Sequence, residues 1–367
     1  MSLWIGLMSG TSMDGIDAAL IDDTNNTLIA ALTHPYSLPA TCALREVVSQ
    51  PLHLGSLHQL SSLLGNEFAD AVDVLLKQSG VLAQDIIAIG SHGQTIAHAT
   101  NIPLPYTVQL GCPHTIAERT GITVIADFRT RDVVLGGQGA PLAPLYHQAI
   151  FGHLHEPMAI VNIGGISNIT FLGAHGELLA GYDVGPGNCL MDAWSQRHLG
   201  TAFDDQGCFA ASGQVIPELL KHLLSDPFYS ASTPKSLCTS LFALSGLTHI
   251  LDDSFLPEDV QATFLALTAR TVSNAIRDFA AQHHVVSRLV ICGGGTRNSC
   301  LMRKLQLEQS SRPVISCAEL GVDADYLEAM LVAWLARKAF YAQPVDLSMI
   351  TGAKRAAILG AIFPVSH

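Results

Sequence analysis

Asp183 stands in Tyr182-Asp183-Val184-Gly185-Pro186-Gly187-Asn188, a string that ends one strand-like run and opens a helix-like run over 189–198. A carboxylate at the C-terminal end of a buried strand, with glycines leaving room beside it, suits a general base that takes a proton from a bound hydroxyl or water. Helix capping is the plainer role, and Asn188 fits it equally well. Three glycine-rich strand ends accompany this carboxylate. Gly10-Thr11-Ser12-Met13-Asp14-Gly15-Ile16-Asp17 lies between two short apolar runs and reads as a tight hairpin. It lacks the Gly-x-x-x-x-Gly-Lys-Ser/Thr of a P-loop, and Asp14 rules out the Gly-x-Ser-x-Gly elbow. Its amides and hydroxyls still suit phosphate oxygens, although an ordinary β-turn uses the same residues. Gly164-Gly165-Ile166-Ser167-Asn168 is the second strand end. In the third, Gly293-Gly294-Gly295 follows the strand-like run 288–292, and a helix opens at Asn298. Three glycines let a flat ligand or a phosphate approach the backbone, and a helix N-terminus adds partial positive charge. A sharply turning loop would look alike, but the three strand ends together favour a nucleotide.

Two further strings place polar residues after apolar runs. Asp127-Phe128-Arg129-Thr130-Arg131-Asp132 precedes Gly136-Gly137-Gln138-Gly139-Ala140-Pro141. In a chain so poor in basic residues, Arg129 and Arg131 invite an anionic ligand, because a guanidinium binds a carboxylate through a bidentate fork. Pairing with Asp127 or Asp132 is the local alternative. Ser91-His92-Gly93-Gln94-Thr95 follows the run 86–89, and its His92 is either turned to a ligand or a satisfied buried ring.

The elements that must position these residues follow from composition and patterning. The chain has 367 residues, 49% hydrophobic and 14% charged, enough for one large or two medium domains with real cores. A net charge of -12 argues against a nucleic-acid surface, which needs clustered Lys and Arg. No run reaches the roughly 20 consecutive apolar residues of a spanning helix, so no membrane association is expected. The first residues carry no basic stretch of the signal-peptide kind. Eight cysteines without a Cys-x-x-Cys pair read as reduced thiols, which points to the cytoplasm. No His-Glu-x-x-His string supports a metalloprotease.

Ile-, Val- and Leu-rich runs alternate with helix-length segments, the pattern of an α/β protein. Residues 4–32 and 159–182 both read as strand, Gly/Ser-rich turn, strand, turn, strand. A repeat about 155 residues apart predicts two similar domains with a ligand cleft between them. Helices are expected over 56–77, over 257–282 with Val260, Phe264, Leu267, Thr271, Ala275 and Phe279 on one face, and over 324–342. The last has an apolar stripe of Leu327, Leu331, Trp334, Leu335 and Ala339, with Glu328 beside it.

With these strings in order, the chain resembles the bacterial anhydro-N-acetylmuramic acid kinases almost throughout, from Met8-Ser9-Gly10-Thr11-Ser12-Met13-Asp14-Gly15 to Cys292-Gly293-Gly294-Gly295 and Gly352-Ala353. The family belongs to the superfamily of sugar kinases, actin and heat-shock chaperone ATPases. The resemblance implies two ribonuclease-H-like, actin-like ATPase domains around a central cleft, with 1–131 plus about 345–367 as one lobe and 132–344 as the other. It implies ATP-dependent phosphorylation of 1,6-anhydro-N-acetylmuramic acid, with opening of the anhydro ring by water, to give N-acetylmuramic acid 6-phosphate in cell-wall recycling. Asp183 then matches the catalytic base, and Glu328 is a candidate for the magnesium shell or the reacting hydroxyl. Gly10, Thr11, Ser12, Met13, Asp14, Gly15, Ile16 and Asp17 match the ATP hairpin, joined by Gly164, Gly165, Asn168, Gly293, Gly294, Gly295 and Asn298. The sugar falls to His92, Gln94, Arg129, Arg131, Asp183 and Gly185, with the arginines as candidates for its lactyl carboxylate. ATP brings Mg²⁺, for which no ligands are assigned, and a homodimer is expected.

Two departures stand out. After Pro234-Lys235-Ser236 the family usually continues Thr-Gly-Arg-Glu, where this chain has Leu237-Cys238-Thr239-Ser240; Cys112 replaces a common acidic or amide residue. A non-catalytic, nucleotide-dependent regulator on the same fold is the alternative that this altered segment motivates. A glycosidase needing no ATP would use two paired carboxylates, and the sequence offers one clear base.

Overall fold

The computed structural model describes residues 2–10, 13, 15–49, 53–237, 242–251, 254–282 and 285–365. They divide into two compact α/β units, Met1–Ala140 with Tyr326–His367, and Pro141–Asp325. Among the described residues no helix is long and apolar enough to cross a membrane.

The first unit is built on β1 (Leu3–Ser9), β2 (Gly15–Asp22), β3 (Thr27–Pro35), β4 (Ile86–Ala99), β5 (Tyr106–Leu110) and β6 (Val124–Ala126). In the second, β7 (Met158–Ile163), β8 (Ile166–Leu172), β9 (Leu178–Pro186), β10 (Arg288–Cys292) and β11 (Val314–Ser316) form the sheet, and β12 (Ala361–Phe363) returns to the first. Strand orders are β12-β6-β4-β1-β2-β3, with β5 on β4, and β11-β10-β7-β8-β9. Each sheet starts with a three-stranded antiparallel meander. Its first strand then pairs in parallel with the next strand, and that with another. Counted within its own unit, the second sheet therefore reads 3-2-1-4-5, and the first reads the same once the added strands β5, antiparallel on β4, and β12, antiparallel on β6, are set aside. The sequence repeat is thus a repeat of topology, a ribonuclease-H-like core present twice.

The burial pattern follows from this order. β1 and β7 lie inside their sheets and are buried at nearly every position, which is why they read as unbroken apolar runs. β3 is an edge and is half-buried or exposed throughout.

Helix Leu327–Phe340 packs across β1 and β4 where Gly6 and Gly90 are register partners. A Cβ on Gly6 would come within 1.8 Å of the Ala329 carbonyl oxygen, and one on Gly90 within 2.4 Å of that of Val332. Two side-chain-free positions side by side thus admit the helix backbone itself. The helix is buried around most of its circumference, at Ala329, Met330, Val332, Ala333 and Ala336 as well as at Leu327, Leu331, Leu335 and Ala339, while Trp334 is only half-buried. The expected single stripe was too narrow.

This packing also moves the expected boundaries, since residues 326–344 and 132–140 group with the first unit and not with the second. The buried Asp132 carboxylate shows why for 132–140: it accepts the Gly139 N–H at 2.7 Å and the Thr351 hydroxyl at 2.7 Å. In the second unit, helix Pro257–Ala280 begins with Pro at its first turn, followed by Glu258 and Asp259, as the sequence pattern predicts. Val260, Phe264, Leu267, Thr271 and Phe279 are buried along it, and Phe279 stacks on Phe171 with ring centroids 3.8 Å apart.

Candidate active site

In the second unit, Asn162 on β7 pairs with Asn168 on β8, and Asn168 pairs with Asp183 on β9. Directly paired residues present their side chains on one face of a sheet, so these three polar groups form a row across strands that are otherwise apolar. All three are buried, Asp183 at 5% exposure and Asn168 at 8%. Among the described residues, Asn168 Oδ1 has no hydrogen-bond partner. A buried amide oxygen left unpaired costs stability, and this one, beside Asp183, is open to a hydrogen bond from a bound group. Between the pairs Asn168–Asp183 and Ser167–Gly185 the register slips, leaving Val184 as an extra residue. Such a bulge re-aims the side chains beside it.

Asp183 Oδ2 accepts the Leu237 N–H at 2.7 Å, and the Asp183 N–H donates to the Lys235 carbonyl at 3.1 Å. Neither Asp183 nor Asn188 caps helix Cys189–Leu199. Asn188 Nδ2 instead donates to the Ile163 carbonyl at 3.2 Å. The carbonyls of Gly164 and Gly165 accept the N–H groups that lead into that helix, from Asn188 at 2.7 Å, Gly187 at 2.9 Å and Cys189 at 3.2 Å. Gly185 lies against helix Pro257–Ala280, where a Cβ would meet Thr271 Oγ1 at 2.9 Å, so close packing explains this glycine without a ligand.

The three glycines after β10 differ from one another. A Cβ on Gly293, whose φ is +76°, would stand 2.5 Å from Asn162 Oδ1, and one on Gly295 would stand 2.5 Å from Ile163 Cβ. Among the described residues, a Cβ on Gly294 would meet nothing nearer than Asn188 Nδ2 at 3.7 Å, and one on Gly164 nothing nearer than the Ile166 carbonyl oxygen at 3.8 Å. Those two glycines leave the space that a ligand needs. Asn298 accepts the Leu301 N–H at 2.9 Å and caps helix Ser299–Glu308, which fixes the loop's far end.

In the first unit the hairpin between β1 and β2 is held from below. The fully buried Gln94 donates Nε2–H to the Gly10 carbonyl at 3.1 Å and accepts the Ser9 hydroxyl at 2.6 Å. Met13, at φ +57°, donates its N–H to the Gly10 carbonyl at 3.3 Å. Thr11, Ser12 and Asp14 lie outside the described residues. Asp17 accepts the Thr33 hydroxyl at 2.7 Å, Gly15 packs against the His34 carbonyl, and Ile16 is fully buried in the core. Ile16 therefore shapes the hairpin from inside and offers no side-chain contact to a ligand.

Arg129 donates Nε–H to His92 Nε2 at 2.7 Å and Nη1–H to the Gly139 carbonyl at 2.7 Å. His92 Nδ1 lies 2.8 Å from the Gly93 carbonyl, an arrangement that holds the neutral Nδ1–H tautomer. Burial, reinforced by the Arg129 charge, pushes this imidazole down to about 3. Of the two alternatives for His92, the satisfied buried ring is the one observed. Arg129 thus bonds to His92 and Gly139, and its charge also acts on the Asp132 carboxyl, while Asp127 accepts the Thr130 N–H at 3.3 Å. Arg131 is exposed, and Glu328 is half-buried on the first turn of its helix. Among the described residues no group of three or more His, Cys, Asp or Glu side chains is placed to hold a metal.

Asn162 and the Lys235–Leu237 segment were missed as site residues. Asn162 could have been found from an amide inside Ala-Ile-Val-Asn-Ile, a placement that needs a polar partner; the loop contact carries no sequence signal, because a main-chain N–H makes it.

A model of the anhydro-N-acetylmuramic acid kinase family matches residues 2–365. The chain belongs to that family. An anhydro-N-acetylmuramic acid kinase of Legionella pneumophila (strain Paris) is 51% identical over 366 residues, covering 100% of this chain and 99% of the relative. One from Nitrosospira multiformis is 44% identical and covers 98% of each chain. Among solved structures, the activator of 2-hydroxyisocaproyl-CoA dehydratase from Clostridium difficile with bound ADPNP is similar over 91% of this chain and 94% of that one, at 15% identity and a TM-score of 0.49. That last likeness is too loose to bear on the chemistry. Family membership makes the chain a kinase that draws its phosphoryl group from ATP, and nothing in these likenesses favours the regulator.

Proposed function

We propose that the chain phosphorylates 1,6-anhydro-N-acetylmuramic acid and opens its 1,6-anhydro ring with water, yielding N-acetylmuramic acid 6-phosphate and ADP in the recycling of cell-wall sugar. Asp183 is the base. It takes one proton from a water as the water oxygen bonds to the anomeric carbon, and the bond from that carbon to the bridging oxygen breaks. The bridging oxygen, now on C6 alone, takes the γ-phosphoryl group, and ADP leaves. Asp183 later returns its proton to solvent.

The observation that carries this reading is the polar row on β7, β8 and β9. Asp183 is buried, accepts the Leu237 N–H, and stands beside an amide oxygen that has no hydrogen-bond partner among the described residues. In this reading the Asn168 oxygen receives a hydrogen bond from the attacking water or from the sugar. In the second unit Gly164 and Gly294 leave room for a nucleotide to reach the backbone, and in the first the amides of the Gly10–Asp17 hairpin suit phosphate oxygens. Arg129, through its bonds, holds His92 and the 139 loop in shape, and Arg131 is the better candidate for the lactyl carboxylate. Mg²⁺ takes hard oxygen ligands and is held largely by phosphates, with one or two carboxylates or amide oxygens added. The Glu328 carboxylate is of the hard-oxygen kind that this donor set takes, and the ion would neutralise charge on the transferring phosphoryl group. We place the protein in the cytoplasm as a homodimer; the free thiols of Cys42, Cys112, Cys189, Cys208, Cys292, Cys300 and Cys317 agree with a reducing compartment.

The test is incubation with the anhydro sugar, ATP and Mg²⁺ in ¹⁸O-labelled water, followed at once by mass spectrometry. A sugar phosphate carrying one ¹⁸O on the anomeric carbon is expected. Ring opening without ATP, or a phosphorylated sugar with its anhydro bridge intact, would contradict the reaction.

A further inference from the structure

The loop that grips Asp183 is itself anchored by one side chain. Its main chain meets β9 twice, through the Lys235 carbonyl and the Leu237 N–H. The Lys235 side chain runs the other way, donating Nζ–H to the carbonyls of Phe228 at 3.1 Å and Tyr229 at 3.2 Å. Its ammonium stands 4.5 Å from the Phe228 ring centroid and 5.9 Å from that of Tyr182, the residue before Asp183. Two carbonyls and two aromatic faces thus fix one charge, a geometry in which a half-desolvated ammonium is well held. Burial lowers the Lys235 pKa, and the charge of Asp278 acts against that shift.

We infer that Lys235 is a positioning residue for the Asp183 carboxylate: its anchored ammonium holds the loop whose Leu237 N–H aims and stabilises that carboxylate. The inference rests on Asp183 being the base. Without the anchor, the loop samples other positions and the hydrogen bond to Oδ2 weakens. A carboxylate that loses such a donor rises in pKa and loses its fixed direction. The arrangement also explains why Leu237 is acceptable where the family usually has Thr. The grip on Asp183 uses only the main-chain N–H, which any residue but proline supplies.

The experiment compares Lys235→Met, Lys235→Arg, Phe228→Leu and Asp183→Asn in the full chain by steady-state kinetics across pH. For Lys235→Met, kcat is expected to fall about tenfold or more with KM for ATP little changed, because only the orientation of the base is disturbed. The acid limb of its kcat profile moves to higher pH. Lys235→Arg, whose fork can reach both carbonyls and lie over Phe228, recovers most of the rate and the original limb. A folded Lys235→Met enzyme with unchanged kcat and an unshifted limb would overturn the inference. Should that variant not fold, Phe228→Leu decides on the same two readouts. An inactive Asp183→Asn beside an unaffected Lys235→Met removes only this inference; an active Asp183→Asn removes the base itself.

Discussion

Asn168 stands directly opposite Asp183 in the pairing of β8 with β9, with Val184 bulged out beside them. Its amide oxygen is buried and, among the described residues, unpartnered, which leaves it open to a bound group. Replacing Asn168 by an apolar side chain of similar size separates a structural role from a binding one. Asn168→Leu is expected to keep thermal stability within a few degrees while kcat falls about tenfold or more. Differential scanning calorimetry and turnover on one sample check this; a variant that loses stability but keeps its rate would make Asn168 a structural residue.

His92 and His147 give the fold a dependence on acid. Burial pushes both rings to about 3 from the ordinary 6.5, with the Arg129 charge adding to the effect at His92. Above pH 6.5 neither ring takes a proton in either state, so they add no pH dependence there. Below it the unfolded chain gains a proton that the folded ring refuses, so stability falls as pH drops from 6.5 towards 3, by about 1.4 kcal/mol per unit for each ring. Urea unfolding at pH 7.5 and pH 5 should therefore show a smaller loss in His92→Gln and in His147→Gln than in the parent, by about 2 kcal/mol each. Equal losses in all three would refute the assignment.

The two arginines of the Asp127–Asp132 string separate in the structure, and their variants should separate too. Arg129 bridges His92 and the Gly139 carbonyl, so Arg129→Lys is expected to lower stability by about 1–3 kcal/mol together with activity. Arg131 is exposed, and Arg131→Ala should leave stability within about 0.5 kcal/mol. If it holds the lactyl carboxylate, KM for the sugar rises while KM for ATP stays. A sugar KM unchanged in Arg131→Ala would remove it from the site.

The α/β class, the duplicated strand pattern and the long helices were legible because they rest on local rules, apolar periodicity and glycine-rich turns. What was not legible depended on contacts between distant segments. Helix Leu327–Phe340 reads as a one-sided stripe, yet its Ala-rich faces are buried because Gly6 and Gly90 let its backbone settle on the sheet. Only the pairing of β1 with β4 brings those glycines together, and with them the segment 326–344 joins the first unit. Asp183 could be singled out by its place between strand end and glycines. The direction of Arg129 towards His92 could not, since 37 residues separate the two.

The same glycine pair supplies a stability test. Gly6→Ala and Gly90→Ala each push a methyl group into the helix backbone, and overpacking of this kind costs about 1–3 kcal/mol. A lowered Tm with unchanged KM values is expected from Gly90→Ala. A Tm equal to the parent's would show that the helix does not sit as closely on β4 as the contact implies.

The most direct measurement is single-turnover formation of N-acetylmuramic acid 6-phosphate by Asp183→Asn, alongside its affinity for ATP. The substitution keeps the size of the side chain and an oxygen for the Leu237 N–H, but removes the basic site. Rapid-quench rates are expected to fall by about a hundredfold to ten-thousandfold, with ATP bound as tightly as by the parent. Parent-like formation of N-acetylmuramic acid 6-phosphate from the anhydro sugar in this variant would contradict the account at its centre.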